Sequence, residues 1–192
     1  LASSAASDVY KRQIVKGACL ALLPVAGTLK AQEKPNIVVI LADDLASNEI
    51  SCYGGKNLKT PNIDRIAEEG IRFTNNFASC AMSVPIRASL YTGLYPARHG
   101  SYQNHKISYS DIKSVTYYLP QAGYRVGHAG KTHTVPKSVF NFEKVPGFEE
   151  NCIAVTADYT VDGIRDFMRQ DSPFCLFVCS TLSHAPWTCG NK

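Results

Sequence analysis

Two long apolar runs restrict the folds open to this chain more than any other feature of its sequence. The first is Ile-Val-Val-Ile-Leu at residues 37–41, and the second is Phe-Cys-Leu-Phe-Val-Cys at residues 174–179. Uninterrupted runs of this length are typical of strands buried on both faces of a parallel sheet. A third strand is predicted at residues 124–129, ending at Gly130. Because helical patterns lie between these strands, the sequence predicts an α/β domain with a largely parallel sheet flanked by helices.

Helical spacing accounts for much of the chain between the predicted strands. Pro61 begins the first helix and Gly70 ends it, and Ile63, Ile66 and Ala67 are predicted to form an apolar stripe toward the core. The other predicted elements are a short strand at residues 71–74 and helices at residues 85–91, 112–122 and 158–168.

The composition of the first 31 residues differs from that of the predicted domain at residues 35–192. Residues 1–13 resemble an assembly scar more than native sequence, and residues 14–31 follow the order of a secretory signal peptide: a lysine, a short apolar run and small residues. The apolar run is too short to span a bilayer, so we expect an exported protein without a transmembrane segment. The alternative is a short buried helix.

The charge balance of the chain argues against a nucleic-acid partner. The whole sequence carries a formal net charge of +4, but residues 1–31 contain four basic residues and one acidic residue, which leaves 16 basic and 15 acidic residues in the remainder. A nearly neutral domain offers no strongly basic surface. No pair of the seven cysteines has C-x-x-C spacing, which argues against a zinc ribbon or a thioredoxin-like redox pair.

Polar residues follow each of the three predicted strands. Asp43 and Asp44 come directly after the first strand, Lys131 and His133 after the strand at residues 124–129, and His184 after the last. Ligands of parallel α/β sheets bind beyond the carboxyl ends of the strands, so these side chains form a candidate site. The paired carboxylates favour a hard divalent cation. The alternative is that one aspartate caps a helix while the other is solvated.

The segment Ser83-Val84-Pro85-Ile86-Arg87-Ala88-Ser89-Leu90-Tyr91-Thr92-Gly93 carries a specific pattern, S-x-P-x-R-x-x-L-x-T-G. Read as local structure, it is a helix start with Ser83 as the N-cap and Gly93 as the stop. Arg87 lies one turn after Ser83, so the two side chains can face the same side of the helix.

This pattern resembles the signature of the sulfatases, in which the first residue is oxidised after translation to formylglycine. The resemblance implies an alkaline-phosphatase-like α/β fold, with Ser83 as the precursor of the nucleophile. An unmodified serine would be left sulfated after attack, whereas an aldehyde hydrate can expel sulfate by re-forming its carbonyl. Leu41-Ala42-Asp43-Asp44-Leu45 resembles the family's first metal-binding segment. The resemblance therefore implies that Asp43, Asp44 and residue 83 bind one calcium ion.

Further segments resemble other parts of the sulfatase site. By this resemblance Arg87 holds the formylglycine hydroxyl. Lys131 and His133 lie in a segment resembling the Gly-Lys-x-His motif; Lys131 would bridge the sulfate and the hydrate, and His133 would accept a proton as sulfate leaves. His184 lies in Ser183-His184-Ala185-Pro186, which resembles the His-x-Pro segment, and would protonate the leaving oxygen. His99 is expected either to line the pocket or only to order its loop.

The resemblance extends over about residues 35–187. The sequence is similar to that of heparan N-sulfatases at residues 123–127 and 130–133 and at Pro136 and Phe140. This similarity implies a sulfated sugar of a glycosaminoglycan as substrate. A serine-type signature implies a bacterial maturase and a periplasmic or cell-surface enzyme. Because sulfatases are usually more than twice this long and place further metal ligands and a lysine later in the chain, these 192 residues resemble the N-terminal part of a sulfatase. We expect them to bind calcium poorly and to be inactive alone.

Two alternatives to a sulfatase remain open on the sequence. The first is a phosphatase or phosphodiesterase of the same superfamily that uses unmodified Ser83 with metal ions. The second is a non-catalytic homologue that binds sulfated glycans without turnover. The chemical state of residue 83 distinguishes the sulfatase from both.

Overall fold

A computed structural model describes residues 34–151 and 159–185 of the protein. It contains four strands: β1 (Ile37–Ala42), β2 (Arg125–Gly130), β3 (Glu143–Lys144) and β4 (Phe174–Ser180). All pair in parallel, in the spatial order β1–β4–β2–β3. Cys175 of β4 is in register with Ile37 on one side and Val126 on the other. The predicted parallel sheet and its three main strands are confirmed, and the two-residue strand β3 was not predicted.

The described residues form five α-helices: α1 (Pro61–Glu69), α2 (Ser83–Thr92), α3 (Pro96–His99), α4 (Val115–Gln121) and α5 (Asp162–Met168). Two 3-10 turns, Ser47–Glu49 and Ser51–Tyr53, precede α1. The predicted helices are confirmed with shifted ends, and residue 158, where the last was predicted to begin, lies outside the described residues. The N-cap assignment was wrong: α2 begins at Ser83, so Met82 is the capping residue. None of the helices in the described segments has the length and apolarity needed to span a bilayer.

Helices pack on both faces of the sheet and bury a separate apolar cluster on each. On one face, Tyr91 of α2 lies against Phe177 and Cys179 of β4. On the other face, Phe167 of α5 packs with Leu176 of β4. Successive residues of β4 point to opposite faces, so this uninterrupted apolar strand supplies both clusters. The sheet therefore holds α2 in a fixed position above the carboxyl ends of β2 and β4.

The prediction that the first strand is buried on both faces was wrong. Val39 and Leu41 pack against the core, but Ile40 is 69% exposed and Val38 is 46% exposed. β1 is an edge strand of the described sheet and pairs with β4 alone. The exposure shows that no described segment covers its second face, and an apolar run cannot reveal which of its faces has a partner.

Two further predictions near α1 were wrong. Ile63 and Ile66 are 40% and 62% exposed, so they do not form an inward stripe. Residues 71–74 form no strand in the structure, and the side chains of Ile71 and Phe73 are exposed. α1 is instead joined to the preceding turns by polar contacts, among them a 2.9 Å hydrogen bond from the Cys52 N–H to Asp64 Oδ1. Amphipathic spacing thus identified the helix but not its packing surface.

Gly130 places the backbone at the end of β2 in a conformation that other residues rarely adopt. Its φ is +84°, and a Cβ there would lie 2.1 Å from the carbonyl oxygen of Cys179. Gly93, at the end of α2, has a similar φ of +70°, but a Cβ at that position would meet only open space. The two glycines share the left-handed conformation and differ in the room available to a methyl group.

We predict that Gly130→Ala is much more destabilising than Gly93→Ala. Gly93→Ala should reduce the unfolding free energy by about 1 kcal/mol, the cost of a left-handed alanine. Gly130→Ala adds a backbone clash and should cost about 3 kcal/mol or more. Urea unfolding monitored by circular dichroism would measure both. Equal losses for the two variants would show that the approach of β2 to β4 at Gly130 is not as close as described.

Candidate active site

The predicted polar residues converge at the carboxyl ends of the strands. Asp43 follows β1 and Lys131 follows β2, and their backbone N–H groups continue the sheet by donating to Ser180 O at 3.0 Å and to Cys179 O at 3.2 Å. Ser83 and Arg87 reach the same edge from the first turns of α2. The sheet and one helix therefore bring four chain-distant side chains together.

Asp43 is the centre of a buried ion cluster. Its Oδ1 accepts a 3.0 Å hydrogen bond from Arg87 Nη2, and its Oδ2 accepts one from Lys131 Nζ. The three side chains are 6%, 1% and 3% exposed. Burial alone would raise the pKa of Asp43, but the hydrogen bonds and charges of Lys131 and Arg87 outweigh it and hold the pKa below its ordinary value. Two cations against one carboxylate leave a net positive charge, which suits an anionic ligand.

Ser83 lies at the edge of this cluster. Its Oγ donates to Asp43 Oδ1 and accepts from Lys131 Nζ, each at 3.4 Å. As the first residue of α2, it also lies where the unpaired N–H groups of the helix favour negative charge. The side-chain carbonyl of Asn104 accepts the Val84 N–H at 3.1 Å and so satisfies one of those groups. The predicted nucleophile is therefore held between a carboxylate and an ammonium.

His184 and Asp44 lie beside the ion cluster, on the side of β1. His184 Nε2 is 3.4 Å from Asp44 Oδ2 and 4.0 Å from Asp43 Oδ2. Ser183, the residue before it, donates its hydroxyl to the carbonyl of Asp43 at 2.5 Å. These contacts hold the loop after β4 against the loop after β1. The structure thus brings His184 to the predicted site, with the exposed Asp44 as its carboxylate neighbour.

His133 is half-buried near the same cluster. Its Nδ1 is buried without a hydrogen-bond partner among the described residues, and its ring centroid lies 5.7 Å from that of His105. Burial, then the positive charges of Lys131 and Arg87, lower the pKa of His133. A neutral imidazole with an unpaired nitrogen can accept a proton or a ligand hydrogen bond.

A buried polar network under Arg87 was not predicted from the sequence. Tyr91 Oη lies 2.9 Å from His128 Nε2, and Cys179 Sγ lies 3.4 Å from the same nitrogen. Burial, and then the charge of Arg87, lower the pKa of His128 to about 4, so this histidine is neutral at pH 7. The i,i+4 spacing of Arg87 and Tyr91 places both on the same side of α2. It is the one sequence signal that could have indicated this network.

His99 orders a loop, which is one of the two roles expected for it. It is fully buried, its Nε2 lies 3.0 Å from Ser89 Oγ, and its Nδ1 accepts the Ser101 N–H at 3.1 Å. With both nitrogens engaged and no exposed surface, His99 does not line the pocket.

The described residues do not form a calcium site by themselves. Ca²⁺ takes about 6–8 oxygen ligands, whereas Asp43, Asp44 and Ser83 offer two carboxylates and one hydroxyl. Both oxygens of Asp43 already accept hydrogen bonds from Arg87 and Lys131. Within residues 34–151 and 159–185 there is no group of three or more His, Cys, Asp or Glu side chains placed to hold a metal ion.

The protein combines a parallel α/β sheet with a serine at the start of a helix, and this serine lies in a cationic cluster at the strand ends. Such an arrangement defines a class of proteins that bind or transform small anionic groups. The sequence profile described as Sulfatase matches residues 35–192. The chain therefore belongs to the sulfatase family, whose alkaline-phosphatase-like fold is confirmed.

Several characterised proteins are similar to this chain. It is 38% identical to an ulvan-active sulfatase of Formosa agariphila over 81% of this chain and 31% of that protein. It is 34% identical to human N-sulphoglucosamine sulphohydrolase over 91% of this chain and 36% of that protein. The solved structure of BT4656 with its substrate D-glucosamine-2-N,6-O-disulfate superposes with a TM-score of 0.68 at 30% identity, covering 81% of this chain and 36% of that one. The chain spans about a third of the length of these relatives.

Replacement of Asp43 should reveal how much the ion cluster contributes to stability. Asp43→Asn leaves two buried cations without their carboxylate, and we expect the unfolding free energy at pH 7 to fall by about 3 kcal/mol. Because the folded pKa of Asp43 is lowered, its contribution is fully present above the pKa of an unfolded aspartate, about 4, and is lost as pH falls through the folded value.

Unfolding free energies of the parent protein and Asp43→Asn, measured between pH 7 and pH 2, would test this expectation. The difference between the two should be constant near neutral pH and shrink only below about pH 4. A difference independent of pH down to pH 2 would contradict a lowered pKa of Asp43 in the folded state. Asp166→Asn on the exposed face of α5 is the matched control and should change stability little.

Proposed function

We propose that this chain carries the nucleophile and sulfate-binding part of an enzyme that hydrolyses sulfate esters, or an N-sulfate, of a sulfated sugar. The observation that carries this proposal is the position of Ser83 Oγ, 3.4 Å from both Lys131 Nζ and Asp43 Oδ1. A nucleophile for an anionic ester needs positive charge beside it, and the buried cluster has more cations than carboxylates.

Residue 83 is proposed to act as formylglycine. The hydrated aldehyde supplies one hydroxyl to attack sulfur and a second whose O–H proton leaves as the carbonyl re-forms and the sulfate bond breaks. Asp43 Oδ1 and Lys131 Nζ would orient the oxygen at residue 83, since they contact its precursor hydroxyl. The cluster therefore positions the attacking oxygen before a substrate binds.

Lys131 is proposed to bind the sulfate. Its ammonium has three N–H donors, of which one points to Asp43 and one to Ser83, so a third is available for a sulfate oxygen. Arg87 donates to Asp43 and to the backbone carbonyl of Lys131, which places its charge under the reacting group and fixes the lysine. The two cations would stabilise the negative charge that develops on the transferred group.

The two histidines are proposed to move protons. His133, whose pKa is lowered by burial and by nearby Lys131, is neutral and can accept the hydroxyl proton as sulfate leaves. His184, next to Asp44, is proposed to protonate the sugar oxygen when its bond to sulfur breaks. The two histidines lie on different loops, after β2 and after β4. This arrangement suits one proton transfer when the sugar oxygen leaves sulfur and another when sulfate leaves residue 83.

The substrate is proposed to be a sulfated sugar of an acidic polysaccharide such as a glycosaminoglycan. Support comes from the relatives, which include a human N-sulphoglucosamine sulphohydrolase and a protein solved with a glucosamine disulfate. A cavity of about 220 Å³ beside the site is lined by polar groups suited to sugar hydroxyls: Lys131, Thr132, His133, Glu150 and Asn151.

The whole protein is also proposed to bind one calcium ion, with Asp43, Asp44 and residue 83 among its ligands and the remaining ligands supplied by further chain.

A formylglycine-generating maturase is the partner that the signature around Ser83 requires. The leader-like segment at residues 14–31 supports export to the periplasm or surface of a bacterium.

The chemical state of residue 83 tests the proposed function. In whole protein produced with a bacterial maturase of the serine type, the tryptic peptide 73–87 should be two hydrogen atoms lighter at Ser83, as measured by tandem mass spectrometry. Ser83→Ala should abolish hydrolysis of 4-nitrophenyl sulfate. Cys80→Ser removes a possible rival nucleophile three residues earlier and should leave both the modification and the activity intact.

The same measurements separate the alternatives. Unmodified Ser83 together with hydrolysis of 4-nitrophenyl phosphate would overturn the proposal in favour of a phosphatase. Unmodified Ser83 with binding of sulfated glycans and no turnover would instead indicate a non-catalytic homologue.

Calcium binding by the 192-residue chain alone should be weak. Because Asp43 is engaged by two cations, Asp44 is the carboxylate beside it that remains for a metal ion. We therefore expect no saturation in calorimetric titrations at micromolar calcium and no sulfatase activity. Micromolar affinity, or turnover of 4-nitrophenyl sulfate by this chain, would contradict the expectation.

Asp44→Asn in the whole protein should weaken calcium affinity by at least about tenfold, because each charged oxygen ligand adds strongly to Ca²⁺ affinity.

A further inference from the structure

The loop at residues 101–109 is fixed against the candidate site by its own hydrogen bonds. Ser101 Oγ donates to the carbonyl of Lys106 at 2.9 Å and lies 2.8 Å from Ser108 Oγ. The Ser108 N–H donates to the carbonyl of Val135 at 2.9 Å, which ties the loop to the segment that follows Lys131. These bonds close the base of the loop and define where its tip lies.

The tip of the loop reaches both the nucleophile and His133. Asn104 accepts the N–H of Val84, the residue next to Ser83, at 3.1 Å. The ring of His105 lies edge-on to that of His133, with 5.7 Å between the ring centroids. His105 is exposed, so its imidazole faces solvent at the entrance to the site and is not part of the core.

His105 has an unusual backbone for an exposed side chain. Its φ is +64°, a left-handed conformation that is unfavourable for a non-glycine residue. The adjoining Lys106 places its Nζ 5.7 Å from the ring centroid of Tyr102, which restrains a second basic group on the same loop. The tip therefore presents the imidazole of His105 beside His133, outside the buried cluster that contacts Ser83.

We propose that His105 determines specificity by binding a second acidic group of the substrate sugar, either a carboxylate or a second sulfate. This inference rests on the proposed function and assigns recognition of the sugar to a loop outside the reacting centre. The sulfate to be cleaved would lie against Lys131 and residue 83. A neighbouring acidic group on the same sugar or its neighbour would extend past His133 toward His105. Imidazole N–H groups are suited to such anions, because hydrogen bonds to an ionised acceptor are stronger than those between neutral groups.

The test compares binding of sugars that differ in one acidic group. Whole protein carrying Ser83→Ala, which cannot turn over substrate, is titrated by calorimetry with glucosamine 6-O-sulfate and with glucosamine 2-N,6-O-disulfate. A monosulfated glucosamine linked to a uronate is the third probe. His105→Asn is then added, because asparagine tolerates the left-handed backbone but lacks the imidazole.

His105→Asn should reduce the preference for either the disulfate or the uronate-linked sugar over the monosulfate by about tenfold, the loss expected for one charge-assisted hydrogen bond. A fall confined to the disulfate identifies the second sulfate as the recognised group, and a fall confined to the uronate-linked sugar identifies the carboxylate. Gln103→Ala, in the same loop, should leave all preferences unchanged. Equal weakening of every sugar, an unchanged preference, or no preference in the parent would overturn the inference.

Failure of this inference can be told apart from failure of the proposed function. If formylglycine is present at residue 83 and 4-nitrophenyl sulfate is hydrolysed, but His105→Asn leaves sugar preference unchanged, only the role of His105 is wrong. If residue 83 is unmodified and no sulfate ester is hydrolysed, the proposed function is wrong, whatever the sugars show.

Discussion

The site depends on the buried contact of Asp43 with Arg87 and Lys131. This one carboxylate joins the end of β1 to the end of β2 and to the first turns of α2. Buried cations are tolerated only when paired, so Asp43 is what allows two of them to lie next to Ser83. Both of its oxygens accept a hydrogen bond from one of these cations, so the carboxylate is fixed in position by the two cations.

One face of α2 links the chemistry of the site to the core. Ser83, Arg87 and Tyr91 follow one another at intervals of four residues, so they lie along the same side of the helix. Ser83 contacts the ion cluster, Arg87 donates to its carboxylate and Tyr91 packs in the aromatic cluster, where its ring lies 4.9 Å from that of Phe142. The hydrogen bond of Tyr91 to neutral His128 satisfies both buried groups. Displacement of α2 would therefore disturb Ser83 and the core together.

The parts that could be predicted from the sequence are those set by local pattern and by topology. The apolar run of β4 predicted a strand because both its faces are buried, and the polar residues after β1, β2 and β4 converge because parallel strands end at one edge. The same reasoning failed for β1 and for Ile66, since a residue pattern does not specify which surface is covered. Asn104 and Tyr91 were missed because their roles depend on partners 20 and 37 residues away.

Left-handed backbone recurs where the strands turn into the site. Asp44 after β1, Gly130 at the end of β2 and His133 shortly after it have φ values of +59°, +84° and +52°. Two of these residues are not glycine, and such conformations persist only where surrounding contacts maintain them. In these segments Asp43 and Lys131 are buried, whereas Asp44 is exposed and His133 is half-buried. The division of the site into a buried charged centre and an accessible rim is thus a property of the backbone at the strand ends.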